Sequence, residues 1–394
     1  MNTPIIVAGG GIGGLSAALG LAIAGKDVVV LEQAPELGEI GAGIQIGPNA
    51  FHCFDYLGIG DEARSVAVYI DALRMMDAVD ATEITRVMVD ETFRARFGNP
   101  YAVVHRADLH GVLLKACREN DRITLHTGSR VTGYTRHDKG VTVAVDGADT
   151  IEGRALIGAD GLRSAIRAQL VGDSAPRISG HATYRTVIPA EKMPEDLRVN
   201  MMTLWAGPKC HLVHYPLQGE KVFNLVVTYH RGMTEAIAGM PVTNDEVRRG
   251  FEHISDEALQ IIDHGENWKL WVLCDRDPID CWTDGNVALL GDAAHPMLQY
   301  LAQGACMAME DAVSLSHHVE RCGEEIEEAL KAYEDQRVTR TARVQLTARL
   351  FGDYVFHADG VAAKTRNAVM RTRTQDEWYE RVAWLYAGNG LESA

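Results

Sequence analysis

No two of the seven cysteines are spaced as C-x-x-C, and an odd number cannot all pair. Cys53, Cys117, Cys210, Cys274, Cys281, Cys306 and Cys322 are scattered along the chain. That scatter argues against structural zinc and against a disulfide framework, so no metal is expected. Most of them are expected as small buried hydrophobes in a reducing cytoplasm. No apolar run is long enough to span a bilayer. Positive charge is in short supply: 38 Lys and Arg stand against 54 Asp and Glu, a net charge of −16. This argues against nucleic acid and anionic membrane surfaces as partners, and an anionic substrate would need a local cationic or hydrogen-bonding site. There is no internal repeat, low-complexity stretch or disordered linker. The chain enters an apolar strand almost at once, so no cleavable signal is expected. Its 394 residues suggest two domains, or one large domain with an insertion.

What is present is concentrated at the start. Ile5-Ile6-Val7-Ala8 reads as a fully buried strand. It runs into Gly9-Gly10-Gly11-Ile12-Gly13-Gly14, which holds G-x-G-x-x-G at Gly9, Gly11 and Gly14. A small-residue helix is predicted from Leu15 to about Ala24, then a strand from Asp27 to Leu31 ending in Glu32. Strand, glycine turn, helix, strand and acid follow in the order a dinucleotide site needs. Gly9 allows the tight turn, Gly11 lets a pyrophosphate approach, and Gly14 lets helix and sheet close together. The helix N-terminus offers free N–H groups to phosphate. Glu32, 18 residues after Gly14, can accept bonds from ribose hydroxyls. The motif by itself does not choose between NAD and FAD.

Further on, Glu39 to Asn49 is a glycine-rich loop suited to a backbone passing close to something flat or charged, or to no more than a loop. Strand-like runs are predicted at Ala72–Met76 and Val87–Val89. A helix opens near His105-Arg106-Ala107-Asp108, with Asp108 as its cap, and runs to about Cys117. Ile123–His126, Val131–Tyr134 and Val141–Val145 read as a β-meander. Leu156 to Ser164 is an apolar strand ending in Asp160-Gly161, followed by a helix carrying Arg163 and Arg167. From about 180 to 275 the pattern is antiparallel sheet with one helical insert, Asn244 to Ile262. On the strand His211 to Leu217, alternation puts His211 and Tyr215 on one face, roughly 13 Å apart at a rise of ~3.3 Å per residue. A small aromatic acid would fit between them; capping a sheet face is the plainer reading. Asn286 to Pro296 is another buried strand ending in Gly291-Asp292, where a carboxylate with a desolvation cost suggests bonds to hydroxyls. It leads through Gln299 to Gly304-Ala305 and a long helix. The charged helical C-terminus carries Trp378, Tyr379, Trp384 and Tyr386, read as helix packing or as a dimer or lipid contact.

The glycine turn, Asp160-Gly161 and Gly291-Asp292, in that order, resemble the single-component FAD-dependent aromatic hydroxylases, the p-hydroxybenzoate hydroxylase fold group. The resemblance covers nearly the whole chain. It implies an α/β fold: a Rossmann-like FAD-binding domain (1–70, 98–180 and 276–340), an interleaved antiparallel-sheet substrate domain (71–97 and 181–275) and a helical C-terminal segment (341–394). It implies FAD contacts at Gly9, Gly11, Gly14, Leu15, Glu32, Gln33, Gln45, Arg106, Val131, Asp160, Asp292, Gly304 and Ala305. The absence of a second G-x-G-x-x-G suits a nicotinamide cofactor, NADH before NADPH, that binds only transiently. A homodimer is a further implication.

Within the group, Gly207 to His211, Tyr215 to Leu217 and His295 to Leu301 are similar to the 3-hydroxybenzoate 6-hydroxylases. The resemblance then implies NAD(P)H- and O2-dependent para-hydroxylation of a monohydroxylated aromatic acid through a C4a-hydroperoxyflavin, with 3-hydroxybenzoate giving 2,5-dihydroxybenzoate. His211 is expected as the base that takes the phenol proton, Gln299 as the hold on the phenolic oxygen, and Tyr215 as orienting the other end of the substrate or donating a bond to the developing charge. Arg74 and Arg185 are candidates for the carboxylate. The 6-hydroxynicotinate 3-monooxygenases and salicylate hydroxylases stay open as alternatives, as do an FAD-dependent reductase without oxygen chemistry and a flavin-binding scaffold.

Overall fold

The computed structural model describes residues 3–38 and 42–391. Glu39, Ile40 and Gly41 of the glycine-rich loop lie outside the described residues. The strand Ile5–Ala8 sits inside a six-stranded sheet. From one edge its order is Thr283–Asp284, Val287–Leu289, Ala155–Gly158, Ile5–Ala8, Val28–Leu31 and Ile123–His126. Neighbours run parallel except at the Thr283–Asp284 edge. Ile5, Ile6, Val7 and Ala8 are all buried, which is why this strand is continuously apolar rather than alternating. Each such buried Ile or Val contributes about 1.5–3 kcal/mol. The helix Ile12–Ile23 lies on the sheet and packs against the helix Gly304–Cys322, where Ser316 Oγ donates to the Gly20 carbonyl at 2.6 Å.

Several expectations need correction. Ile123–His126 is not part of a meander. It pairs in parallel with Val28–Leu31, after the crossover helix Arg106–Arg118. Its alternation arises because an edge strand has one solvated side, and that pattern imitates a hairpin strand. The meander consists of Val131–His137, Gly140–Val145 and Ile151–Gly153. Asp108 is no N-cap: His105 occupies that position, and Asp108 lies inside the first turn, where its charge still favours the helix dipole. Arg163 stands in the turn before the helix Ala165–Leu170, which Ser164 caps by accepting from Arg167 N at 2.8 Å. The insert at 244–262 is two helices, Asn244–Arg248 and Asp256–Asp263, because Thr243 and Ser255 each cap a new start.

The second large sheet has eight strands: Ala238–Pro241, Lys269–Asp275, Arg177–Pro189, Val222–His230, Cys210–Leu217, Met201–Gly207, Ala72–Asp77 and Glu83–Met88, in that order. It is antiparallel except where Met201–Gly207 lies parallel to Ala72–Asp77, two strands that no hairpin connects. The helix Ile326–Leu350 runs unbroken across residue 340, since no glycine or proline interrupts it. A π-helical turn, Phe351–Phe356, ends it, and the helices Gly360–Arg371 and Gln375–Tyr386 follow.

The C-terminal aromatics pack inward. Tyr379 and Tyr386 meet Phe93 and Phe97 edge-on, and Tyr379 Oη donates to the Met88 carbonyl at 2.8 Å. Among the described residues, no helix is long and apolar enough to cross a membrane.

Candidate active site

A cavity of about 780 Å3 runs between the two sheets. It is lined by Gly11, Gly43, Gln45, Arg106, Gly161 and Asp292 and, from the eight-stranded sheet, by Arg185, His211 and Tyr215, with Gln299. Gly304 and Ala305, at the start of the long helix, line it as well.

The glycine turn is built for close approach. Gly9 has φ +110°, and a Cβ there would stand 2.3 Å from the Ala159 carbonyl oxygen. A Cβ on Gly14 would stand 1.9 Å from the Gly9 carbonyl oxygen. Only glycine therefore lets helix and turn close against the strand ends. His110 Nε2 bonds to the Gly10 carbonyl at 2.8 Å and fixes the turn from outside. Glu32 accepts from Gly10 N at 2.7 Å and from Ala34 N at 2.8 Å, which sets its carboxylate beside the turn. Leu15 is buried beneath the turn, and Leu15 N donates to the Gly11 carbonyl.

The other two strand ends present carboxylates. Asp160 Oδ2 accepts from Ala165 N at 2.7 Å, while Oδ1 is buried without a partner; burial raises this carboxyl above its usual range. Asp292 lines the cavity, and desolvation by the surrounding protein raises its carboxyl, against the pull of His295 and Arg106. Among the described residues no hydrogen-bond donor reaches it. Such a carboxylate suits hydroxyl groups, and the glycine cradle suits a pyrophosphate. The donor set fits a flavin dinucleotide: the glycine turn would take the phosphates, Glu32 a ribose, Asp292 the hydroxyls of a polyol chain, and Gly304-Ala305 the ring. Gln45 and Arg106 line the same space, and Gln45 Oε1 accepts from Tyr101 Oη at 2.7 Å. Gln33 is exposed and Val131 is buried in its strand; neither lines the cavity.

His211 and Tyr215 both face this cavity from the strand Cys210–Leu217. The Tyr215 ring lies against Gly43, where a Cβ would come within 2.5 Å of it, and Gly43 N donates to Asn224 Oδ1 at 2.8 Å. Burial raises the Tyr215 phenol, with Arg185 opposing, so it stays protonated and able to donate. His211 is buried, and that burial, with His357 and His181 adding to it, holds the imidazole well below its ordinary value; it is neutral and able to accept a proton.

Gln299 is tied up. Its Oε1 accepts from Arg185 Nη2 at 2.6 Å, and its Nε2 donates to Thr228 Oγ1 at 3.2 Å. Arg185 Nε is buried without a partner, and no carboxylate pairs with this guanidinium among the described residues. Burial, with Arg106 adding to it, lowers its pKa. The Trp271 ring lies 5.8 Å from it. Arg74 lines the same cavity and donates to Thr203 Oγ1 at 3.2 Å. Sequence reasoning did not single out His181, Tyr300 or His357, which meet His211 only through the fold. The departure of Phe351–Phe356 from α-helical geometry, which brings His357 over, carries no signal in the residues themselves.

A family model described as FAD binding domain matches residues 2–348 of this chain. The 3-hydroxybenzoate 6-hydroxylase 1 of Aquipseudomonas alcaligenes is 51% identical over 392 residues, covering 100% of this chain and 99% of that protein. The 3-hydroxybenzoate 6-hydroxylase of Polaromonas naphthalenivorans (strain CJ2) is 48% identical, covering 98% and 96%. Among solved structures, Klebsiella pneumoniae HpxO complexed with FAD and uric acid is similar at a TM-score of 0.86 and 27% identity, covering 98% of this chain and 97% of that one.

Proposed function

This chain belongs to the FAD-binding-domain family, as a flavin-dependent aromatic monooxygenase, and we propose that it hydroxylates 3-hydroxybenzoate para to the phenol, giving 2,5-dihydroxybenzoate. One observation carries the reading. A single cavity joins the dinucleotide cradle to a chamber holding a neutral base, a phenol donor and a guanidinium with no acidic partner among the described residues. The chemistry supplied by bound FAD is two-electron reduction by a nicotinamide cofactor, NADH in this proposal, and activation of O2.

The protein's part is to hold an electron-rich ring in place. Arg185 takes the substrate carboxylate; its free Nε and the overall negative charge of the chain support this choice over other groups. His211 Nε2 takes the phenolic proton, since Nδ1 is engaged by His357 at 2.7 Å. Tyr215 donates to the ring's oxygen as charge develops. Gln299 positions Arg185 and completes the polar side of the chamber. The buried walls exclude water, which protects the activated oxygen from wasteful loss.

A homodimer and a lipid contact at the C-terminal aromatic segment belong to the same proposal. Supporting the second, Trp378 and Trp384 line the cavity together with Arg74, Arg373 and Arg381, a combination suited to an amphiphilic anion. A reducing, cytoplasmic setting suits the cysteines, which form no disulfide among the described residues.

The test is oxygen-dependent NADH oxidation by the purified yellow protein with 3-hydroxybenzoate, salicylate, 4-hydroxybenzoate and 6-hydroxynicotinate, with products identified by chromatography. Coupled formation of 2,5-dihydroxybenzoate supports the proposal. Efficient hydroxylation of another ring, with 3-hydroxybenzoate left intact, overturns the substrate assignment.

A further inference from the structure

Behind His211 the structure assembles more imidazole than a single base needs. His211 comes from the strand Cys210–Leu217, His181 from Arg177–Pro189, His230 from the end of Val222–His230, and His357 from the residue after the π-helical turn. The His211 and His357 rings are stacked, with centroids 5.0 Å apart, and His211 Nδ1 meets His357 Nε2 at 2.7 Å. The His357 ring stands 4.9 Å from that of His181, edge-on, and His181 stands 5.1 Å from His230. His211 lines the cavity, His357 and His181 are buried, and His230 is exposed. The row therefore begins at the substrate chamber and ends at solvent. Among the described residues no group of three or more His, Cys, Asp or Glu is placed to hold a metal ion.

The backbone keeps the pair together. The amide of His357 donates to the Gly352 carbonyl at 3.0 Å, the wider spacing of a π turn, and its carbonyl accepts from Lys209 N at 3.1 Å. Tyr300 Oη bonds to His181 Nδ1 at 2.7 Å, which leaves His181 Nε2 as its other proton site.

We propose that His211 and His357 act as one proton-transfer unit, with His181 and His230 as the way out, and that His357 is a positioning and relay residue for the base. The proposal rests on the reading of the substrate as a phenol. The phenolic O–H breaks and its electron pair stays on oxygen, while His211 Nε2 gains the proton. In the same step His211 Nδ1–H breaks as His357 Nε2–H forms. His357 Nδ1–H breaks as His181 Nε2–H forms, and the same nitrogen, as the His181 ring turns, gives that proton to His230, which releases it to solvent. One proton enters and one leaves. His211 ends as the Nε2–H tautomer, and the reverse shift resets it.

The groups facing this unit are few. His181, His230, Tyr300 and Phe356 surround it, Arg177 acts on His181, and Asp275 and Asp353 act on Tyr300. No carboxylate bonds to either ring of the pair among the described residues. Burial first, then neighbouring histidines, holds His357 at about 3 and His181 at about 4. An imidazolium is thus unwelcome at rest, and a proton arriving from the substrate moves on.

The experiment uses the FAD-loaded enzyme and 3-hydroxy-4-nitrobenzoate, whose phenolate has its own absorbance. Phenolate formation after mixing is followed by stopped-flow in wild type and in H357Q, which keeps an amide able to bond His211 but cannot relay a proton. The expected result is at least a tenfold slower phenolate signal in H357Q, with probe affinity changed far less, and partial recovery with added imidazole in H357G. An unchanged rate in H357Q overturns the proposal. As a measurement that needs no variant, the wild-type rate in mixed H2O and D2O should curve with deuterium fraction, as it does when two protons move together. A straight line overturns the relay. If the probe does not bind to wild type at all, the functional reading fails instead, so the two failures are distinct.

Discussion

Arg185 Nη2 donates to Gln299 Oε1 at 2.6 Å, and this single contact spans the two parts of the site. Arg185 belongs to the central strands of the eight-stranded sheet; Gln299 follows the strand that carries Gly291-Asp292. The expected role of Gln299 was to hold the phenol. Its amide also bonds Arg185, Thr228 and Thr183, and so aims a guanidinium whose Nε has no partner among the described residues.

Replacing Arg185 by Met removes the cation and keeps most of the volume. KM for 3-hydroxybenzoate is expected to rise on the order of 100-fold, the size of one lost charge-assisted contact, with a smaller change in kcat. Thermal stability should hold or increase, because an unpaired buried charge leaves with the side chain. Steady-state kinetics beside a melting curve check both halves. An unchanged KM would move the carboxylate to another residue.

His211→Ala should load FAD normally and still oxidise NADH, but hydroxylation should fall by about 10²–10⁴-fold, with peroxide in its place. Product yield per NADH is the measurement, and full coupling would remove His211 as the base. In wild type the base is active when neutral. Burial lowers its pKa, so the acid limb of kcat/KM should lie below the ordinary histidine value of about 6.5.

Gly14→Ala places a Cβ against the Gly9 carbonyl oxygen, 1.9 Å away before relaxation. Because the obstacle is backbone, the turn must open. Purified G14A is expected to be colourless or nearly so, read from the flavin absorbance per protein. Stoichiometric flavin in G14A would mean that the turn does not form the cradle.

The helices Gly304–Cys322 and Ile326–Leu350 are locked by a buried charge network. Arg337 bonds Glu310 and Asp311 at 2.8 Å each, Arg340 bonds Glu310 at 2.6 Å, and His295 meets Asp311 at 2.5 Å. Arg337→Met takes one cation from two buried carboxylates, leaving Glu310 to Arg340 and Asp311 to His295, and should cost about 3–5 kcal/mol in chemical denaturation. For Asp311, burial alone would raise the carboxyl, yet His295 and Arg337 outweigh it and hold it at about 2. Its folded value lies below the unfolded value of about 3.9. Its stabilisation is therefore complete above about pH 4 and is lost as pH falls toward about 2. Acid titration of stability should show that slope in wild type and a shallower one in D311N.

The opening strand, glycine turn, helix and acid were legible in the sequence because each is local. Gly9, Gly14 and Glu32 are fixed by spacing along one stretch of chain, and a buried parallel strand betrays itself by unbroken apolar residues. The alternation of His211 and Tyr215 was legible for the same reason, since a strand's period of two needs no partner to be known. The edge strand Ile123–His126 was misread because alternation reports one solvated side, not which sheet supplies the other. The single helix expected at 244–262 failed because a second cap, Ser255, lay inside an apolar pattern that continued past it.

What only the tertiary structure decided is which distant side chains share an atom-to-atom contact. His211 and His357 are 146 positions apart, and Arg185 and Gln299 are 114 apart. No periodicity links such residues. They meet because two sheets and a π turn close on one cavity, and packing places them once the local elements have formed. The sequence by itself determines the strand, glycine turn, helix and acid of the dinucleotide motif; the packing of the second sheet and the C-terminal helices determines which distant side chains line one cavity with it.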